Sequence, residues 1–160
     1  MKIIFNKVIV LGLVLTACGS PRGPIVDAKD ASARAQRLVS GTVTTSERSG
    51  DYWEVVVKQS NGALIEVKLR PATGDLQSAE DKVGPFDYDL TPEPTALGFK
   101  PAVAKAQAIE PGAVEAWELE RKDFGFQWEV YIRNAANELH EIKMDAKGTL
   151  RSREVKTAVD

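Results

Sequence analysis

The chain holds one cysteine, Cys18, and one histidine, His140, so nucleophilic and metal chemistry have few places to sit. A Ser-His-acid arrangement would have to use His140, and no glycine-flanked serine accompanies it. Strand alternation gives His140 an inward position near a strand start, that of a structural histidine that can still titrate near neutral pH. Asp87-Tyr88-Asp89 offers two carboxylates to a hard cation, yet the spacing and the missing glycine do not match a calcium loop, and it reads as a solvated acidic turn. One histidine and one cysteine are too few for an ordinary zinc site. No spacing selects a carboxylate pair for glycoside chemistry: Glu54, Glu66, Glu129 and Glu141 fall on the expected solvent faces of strands. The residues specify no catalytic group, no metal and no cofactor, and the reading is of a non-enzyme.

Cys18 has a different context. Lys2 and Lys7 precede an uncharged run from Val8 to Gly19, too short for a transmembrane span of roughly 20 apolar residues. The run ends in Leu15-Thr16-Ala17-Cys18. This resembles the lipobox of bacterial lipoproteins, which implies a signal peptide at 1–17, cleavage before Cys18, diacylglycerol on its sulfur and a fatty acid on its new amino group. Two acyl chains already anchor a protein stably, each buried methylene contributing about 0.8 kcal/mol. The resemblance also implies attachment to the cell envelope. In a two-membrane envelope, Gly19 in place of an aspartate favours the outer membrane, facing the periplasm. With no second cysteine there is no internal disulfide, so stability must come from a packed core.

The formal charge is −2, and losing Lys2 and Lys7 leaves a more acidic remainder. No clustered Lys and Arg field is present, which argues against nucleic-acid binding. Residues 18–26 are rich in Gly, Ser and Pro and read as a tether.

An internal duplication organises the rest. Ala33-Arg34-Ala35-Gln36 answers Ala104-Lys105-Ala106-Gln107, and Trp53-Glu54-Val55 answers Trp128-Glu129-Val130. Leu64, Glu66, Val67, Lys68 and Leu69 correspond in spacing to Leu139, Glu141, Ile142, Lys143 and Met144. Each half reads as one helix and three strands. Asp27 or Asp30 caps a first helix with Ala31, Ala35 and Leu38 on one face, and Pro101 opens a second that Pro111-Gly112 stops. Trp53, Val55 and Val57 alternate with Tyr52, Glu54 and Val56, as do Trp128, Val130 and Ile132 with Glu129 and Tyr131, the period of a strand with one buried face. Asn61-Gly62 marks a hairpin turn, whose counterpart Ala135-Ala136-Asn137 requires a left-handed Asn137 or a longer loop. The stretch from residue 78 to 99 shows little periodicity, with Phe86, Tyr88, Leu90 and Leu97 as its packing contacts.

These residues resemble tandem PepSY domains. The carriers are the Ala-rich helices, Tyr52-Trp53-Glu54-Val55 and Trp128-Glu129-Val130, the hairpins leading to Glu66-Val67 and Glu141-Ile142, and the turns Thr73-Gly74 and Lys147-Gly148. The resemblance implies an α+β fold of two repeated helix-plus-antiparallel-sheet (PepSY-like) domains, at 27–81 and 100–160, joined by a linker at 82–99. It carries no transferable catalytic residue. It implies restraint of a peptidase in trans as one activity; assembly or adaptor work in the envelope is the alternative.

The remaining functional signal is a surface. Tyr52, Val56 and Tyr131 fall on the outward strand faces, residue types common at interfaces, and are the expected contact surface for an envelope protein partner. The three tryptophans, Trp53, Trp117 and Trp128, are expected in the core. Partner identity and oligomeric state are not specified.

Overall fold

The computed structural model describes residues 23–92 and 94–159. Cys18, the signal peptide and the start of the tether lie outside the described residues. The chain runs α1 (Ala28–Leu38), β1 (Thr42–Ser49), β2 (Tyr52–Lys58), β3 (Leu64–Leu69), β4 (Leu76–Asp81), α2 (Phe99–Ile109), β5 (Gly112–Lys122), β6 (Gly125–Asn134), β7 (Leu139–Asp145) and β8 (Leu150–Lys156).

The eight strands form a single antiparallel sheet in sequential order. This corrects the expectation of two PepSY-like domains. The order of one helix and four strands occurs twice, yet β4 pairs with β5 through Ser78↔Glu120, Ala79↔Leu119, Glu80↔Glu118 and Asp81↔Trp117. Backbone hydrogen bonds therefore cross the boundary where a separation was expected. A four-strand sheet in each half would leave β4 and β5 as open edges, with unpaired N–H and C=O groups. Joining them removes both edges and merges two small cores.

Both helices cover the same face. Ala31 and Ala35 of α1 pack over Val55, Val57, Ile65 and Val67, and Phe99, Ala102 and Ala106 of α2 pack over Trp117, Trp128, Val130 and Ile142, all in one cluster. Small residues on the helices let the backbones approach the larger strand side chains. Asp27 caps α1, its carboxylate accepting from the Asp30 amide at 2.8 Å. Trp117 and Trp128 are fully buried with centroids 5.5 Å apart, whereas Trp53 packs only partly against the cluster.

The tether's last residues are fixed: Gly23 and Ile25 donate backbone hydrogen bonds to Thr73 and Pro71, and Arg34 holds the Gly23 and Pro24 carbonyls. Asn137 takes φ of 62° at the position that Gly62, with φ of 97°, fills in the first half. Between β4 and α2, Tyr88 and Leu90 are buried in the same core cluster.

Candidate binding face

Period-two alternation sends every second residue of the sheet to the side without helices. Tyr52, Glu54, Val56 and Lys58 lie there on β2, Leu64, Glu66 and Lys68 on β3, and Ser78 and Glu80 on β4. Glu118 and Glu120 on β5, Glu129 and Tyr131 on β6, and Glu141 and Lys143 on β7 continue the face. Tyr52 and Val56 are half-buried and reachable. Tyr131 is only 4% exposed. It packs with Ala116, Leu139 and Val159, and its hydroxyl donates to Glu141 Oε1 at 2.9 Å. The three residues expected to form one surface thus share a face, but Tyr131 sits beneath it and holds Glu141 in place.

The strand registers build a row that no local pattern reveals. Val56, Glu66, Glu80, Glu118, Glu129, Lys143 and Ser152 stand directly opposite one another across seven successive strands. Four carboxylates are therefore consecutive neighbours, at about 4.5–5.5 Å between facing Cα atoms. Like charges directly opposite are destabilising by roughly 0.2–1 kcal/mol per pair.

Lysines offset most of this. Lys68 lies 3.0 Å from Glu66, 3.7 Å from Glu80 and 4.0 Å from Glu54, and Lys82 lies 3.2 Å from Glu80. Lys143 is 3.5 Å from Glu129 and 3.3 Å from Glu141, with Lys156 3.5 Å from Glu141. Lys122 pairs with Glu120. Burial pulls the Lys68 and Lys143 ammonium groups down, and the carboxylates around each outweigh it, so both are held above the usual lysine range.

Glu118 is the exception. Among the described residues no side chain forms an ion pair or hydrogen bond with it, and Glu80 and Glu129 flank it on either side. Burial, followed by the charges of Glu80, Glu120 and Glu129 and against the smaller pull of Lys122, pushes its carboxyl up to about 7. The expected solvent faces need correction in the same sense. Glu141 is fully buried and Glu129 is 7% exposed, so this side of the sheet is a recessed polar surface.

No family model matches the chain, and no curated protein matches its sequence. Solved structures similar to it include a provisionally assigned lipoprotein from Clostridium difficile 630, 18% identical, with a TM-score of 0.38 over 69% of this chain and 78% of that one. A BLIP-like protein from Bacteroides fragilis NCTC 9343 is 12% identical, with a TM-score of 0.44 over 85% of this chain and 92% of that one. The PepSY resemblance is not upheld: its carriers are core and turn positions, which a continuous eight-stranded sheet uses equally well.

The other sequence candidates fall elsewhere. His140 is 3% exposed on the helix side, its Nε2 3.4 Å from Glu138 and 3.9 Å from Glu110, its Nδ1 accepting from Arg153 Nε at 3.4 Å. Arg153 also pairs with Glu110, which caps the end of α2. The cluster ties that helix end to β8. In Asp87-Tyr88-Asp89, Asp87 is exposed and lies 3.6 Å from Lys100, while Tyr88 turns inward. Among the described residues, no group of three or more His, Cys, Asp and Glu side chains is placed to hold a metal ion. No described helix is long and apolar enough to cross a membrane.

Glu80 and Glu118 escaped the sequence reading. The alternation of Trp117 and Leu119 already put Glu118 outward, but its isolation arises only from the β4–β5 register.

Proposed function

We propose that this protein is a lipid-anchored component of the bacterial cell envelope that binds another protein through the helix-free face of its sheet, without catalysis. The observation carrying this reading is the one-sided fold: both helices cover one face, while the other carries Tyr52, Val56 and an ordered set of charges. A broad polar surface with reachable aromatic and aliphatic groups suits association with a protein. Anchoring through Cys18 rests on Leu15-Thr16-Ala17-Cys18 after a charged and then apolar start.

Restraint of a peptidase followed from the PepSY resemblance and loses its support with it. Assembly or adaptor work in the envelope is the reading retained.

In-cell crosslinking and affinity purification of the full lipidated chain test the reading. Tyr52→Ala combined with Val56→Ala removes the capture of a specific envelope protein, and Arg37→Ala on the exposed side of α1 preserves it. Capture that survives the double change and disappears with Arg37→Ala places the partner on the helix side and overturns the proposal.

A further inference from the structure

We infer that the end of the sheet at which the tether joins the fold seats against the phospholipid surface, with Phe124 and Arg151 in the headgroup layer. This rests on the lipid-anchor part of the proposed function and adds the orientation of the body on the membrane.

Sequential antiparallel pairing puts the connections alternately at the two ends of the sheet. The β1–β2, β3–β4, β5–β6 and β7–β8 turns share one end, and the β2–β3 and β6–β7 turns share the other with the β4–β5 crossover. The tether joins at the first of these ends. Gly23 donates to the Thr73 carbonyl at 3.0 Å and Ile25 to that of Pro71 at 2.7 Å, both in the β3–β4 turn. Arg34 Nη1 donates to the Gly23 carbonyl at 2.7 Å and Nη2 to that of Pro24 at 3.2 Å. The entry point is clamped and cannot swing to the far end.

Chain length then decides which end meets the bilayer. Residues 19–22 alone separate Cys18 from Gly23, so the two Cα atoms lie at most ~18 Å apart. β5 and β6 run 11 and 10 residues, which makes the sheet about 34 Å tall there at ~3.4 Å per residue. Acyl chains on Cys18 reach a bilayer that touches the near end and fall short of one that touches the far end. Exposed apolar groups alone make no choice, since Leu64, Val83 and Val155 stand toward the far end and Val26, Phe124 and Leu150 toward the near one. The tether selects the second set.

Phe124 is 54% exposed at the tip of the β5–β6 turn. That turn is two strand spacings, roughly 10 Å, from the β3–β4 turn that holds the tether. The Arg151 guanidinium lies 3.8 Å from the Phe124 ring centroid. A ring that enters the apolar boundary, with a cation on its face that stays among the phosphates, suits a membrane interface. Lys147 and Arg151 share these tips with Asp51 and Asp123, so the contact rests on tether reach and apolar insertion and not on net charge. With the strands rising from the bilayer, the helix-free face stays clear of it and open to a protein partner.

The test uses the full lipidated chain in vesicles of phosphatidylethanolamine and phosphatidylglycerol that contain a headgroup-spin-labelled lipid. Acylation blocks the Cys18 sulfur, so a thiol-reactive fluorophore marks only an introduced cysteine. Asp123→Cys reports on the near end, Ala136→Cys on the far end, Arg37→Cys on the helix side and Thr45→Cys on β1, all at exposed positions. Quenching at position 123 is expected to exceed that at each of the others at least about threefold, as for a label within ~10 Å of the headgroup boundary. Adding Phe124→Ser removes most of this excess and Leu64→Ser leaves it, with thermal unfolding confirming that both variants fold. Strongest quenching at position 37 or 45 would lay the body on a face and overturn the inference, as would equal quenching at 123 and 136. Labelling of the native chain at Cys18, or its failure to stay with the vesicles, would instead remove the anchor and the inference with it.

Discussion

The hydroxyl of Tyr88 accepts a hydrogen bond from Trp117 Nε1 at 2.5 Å and donates one to Asp81 Oδ2 at 2.8 Å. Asp81 ends β4, Trp117 faces it on β5, and Tyr88 comes from the connection between them. Burial, with Asp81's charge against the Trp117 bond, raises the phenol well above the usual tyrosine range, so the hydroxyl remains a donor. The ring stacks on Phe99 at 4.9 Å, which fixes the start of α2 as well. One side chain thus fastens the crossover to the seam joining the two halves of the sheet.

Tyr88→Phe keeps the ring and removes the bridge, leaving Asp81 Oδ2 and Trp117 Nε1 each without this partner. The expected loss is about 2–3 kcal/mol, read from the midpoint of denaturant unfolding. A change below about 0.5 kcal/mol would show that the rings, and not the hydroxyl, secure the seam.

The tryptophans separate by burial. Trp128 has no exposed surface and touches Phe99 and Trp117, so Trp128→Ala costs about 3–5 kcal/mol. Trp53 lies on the outer strand pair, half-buried, and Trp53→Ala costs about half as much, since less surface leaves the core. Paired unfolding curves measure the difference. Equal losses would mean that the two halves of the sheet share load more evenly than burial implies.

Cys18→Ser removes the one thiol that Leu15-Thr16-Ala17-Cys18 offers for acylation. The altered chain fractionates as a soluble protein, whereas the native chain stays with membranes in high salt, as anchoring by two or more acyl chains requires. Membrane retention of the serine variant would refute lipidation at this position.

The phase of β2 and β6 was legible because large apolar residues alternate with polar ones at Trp53-Glu54-Val55 and Trp128-Glu129-Val130. Asn137 takes the left-handed conformation, one of the two solutions the same correspondence allowed. The fourth strand of each half was not. Leu76–Asp81 places Ala79 and Asp81 toward the core and Ser78 and Glu80 away from it, too little apolar contrast to show a period. Leu150–Lys156 is an exposed edge rich in charge. Without β4, its pairing with β5 cannot be foreseen, and with that pairing goes the whole of the carboxylate row. Each glutamate in the row is ordinary on its own strand. Only long-range register makes neighbours of Glu80, Glu118 and Glu129.

That row has a consequence for stability that is independent of any partner. In the folded protein Glu118 titrates at about 7, against an ordinary value of 4.5 that applies once the chain unfolds. Between these two values the folded state holds a proton that the unfolded state has released. Stability therefore falls as pH rises from about 4.5 through about 7, the sense opposite to that of a salt-bridged carboxylate. Glu118→Gln copies the protonated form at every pH. At pH 8 the variant should be more stable than wild type by roughly 0.4–2 kcal/mol, from relief of two facing like-charge pairs. Near pH 4.5 the two should converge. Thermal or urea unfolding across this range distinguishes the outcomes: converging curves place the uncompensated charge at Glu118, whereas parallel curves would mean that Lys122 or solvent already neutralises it.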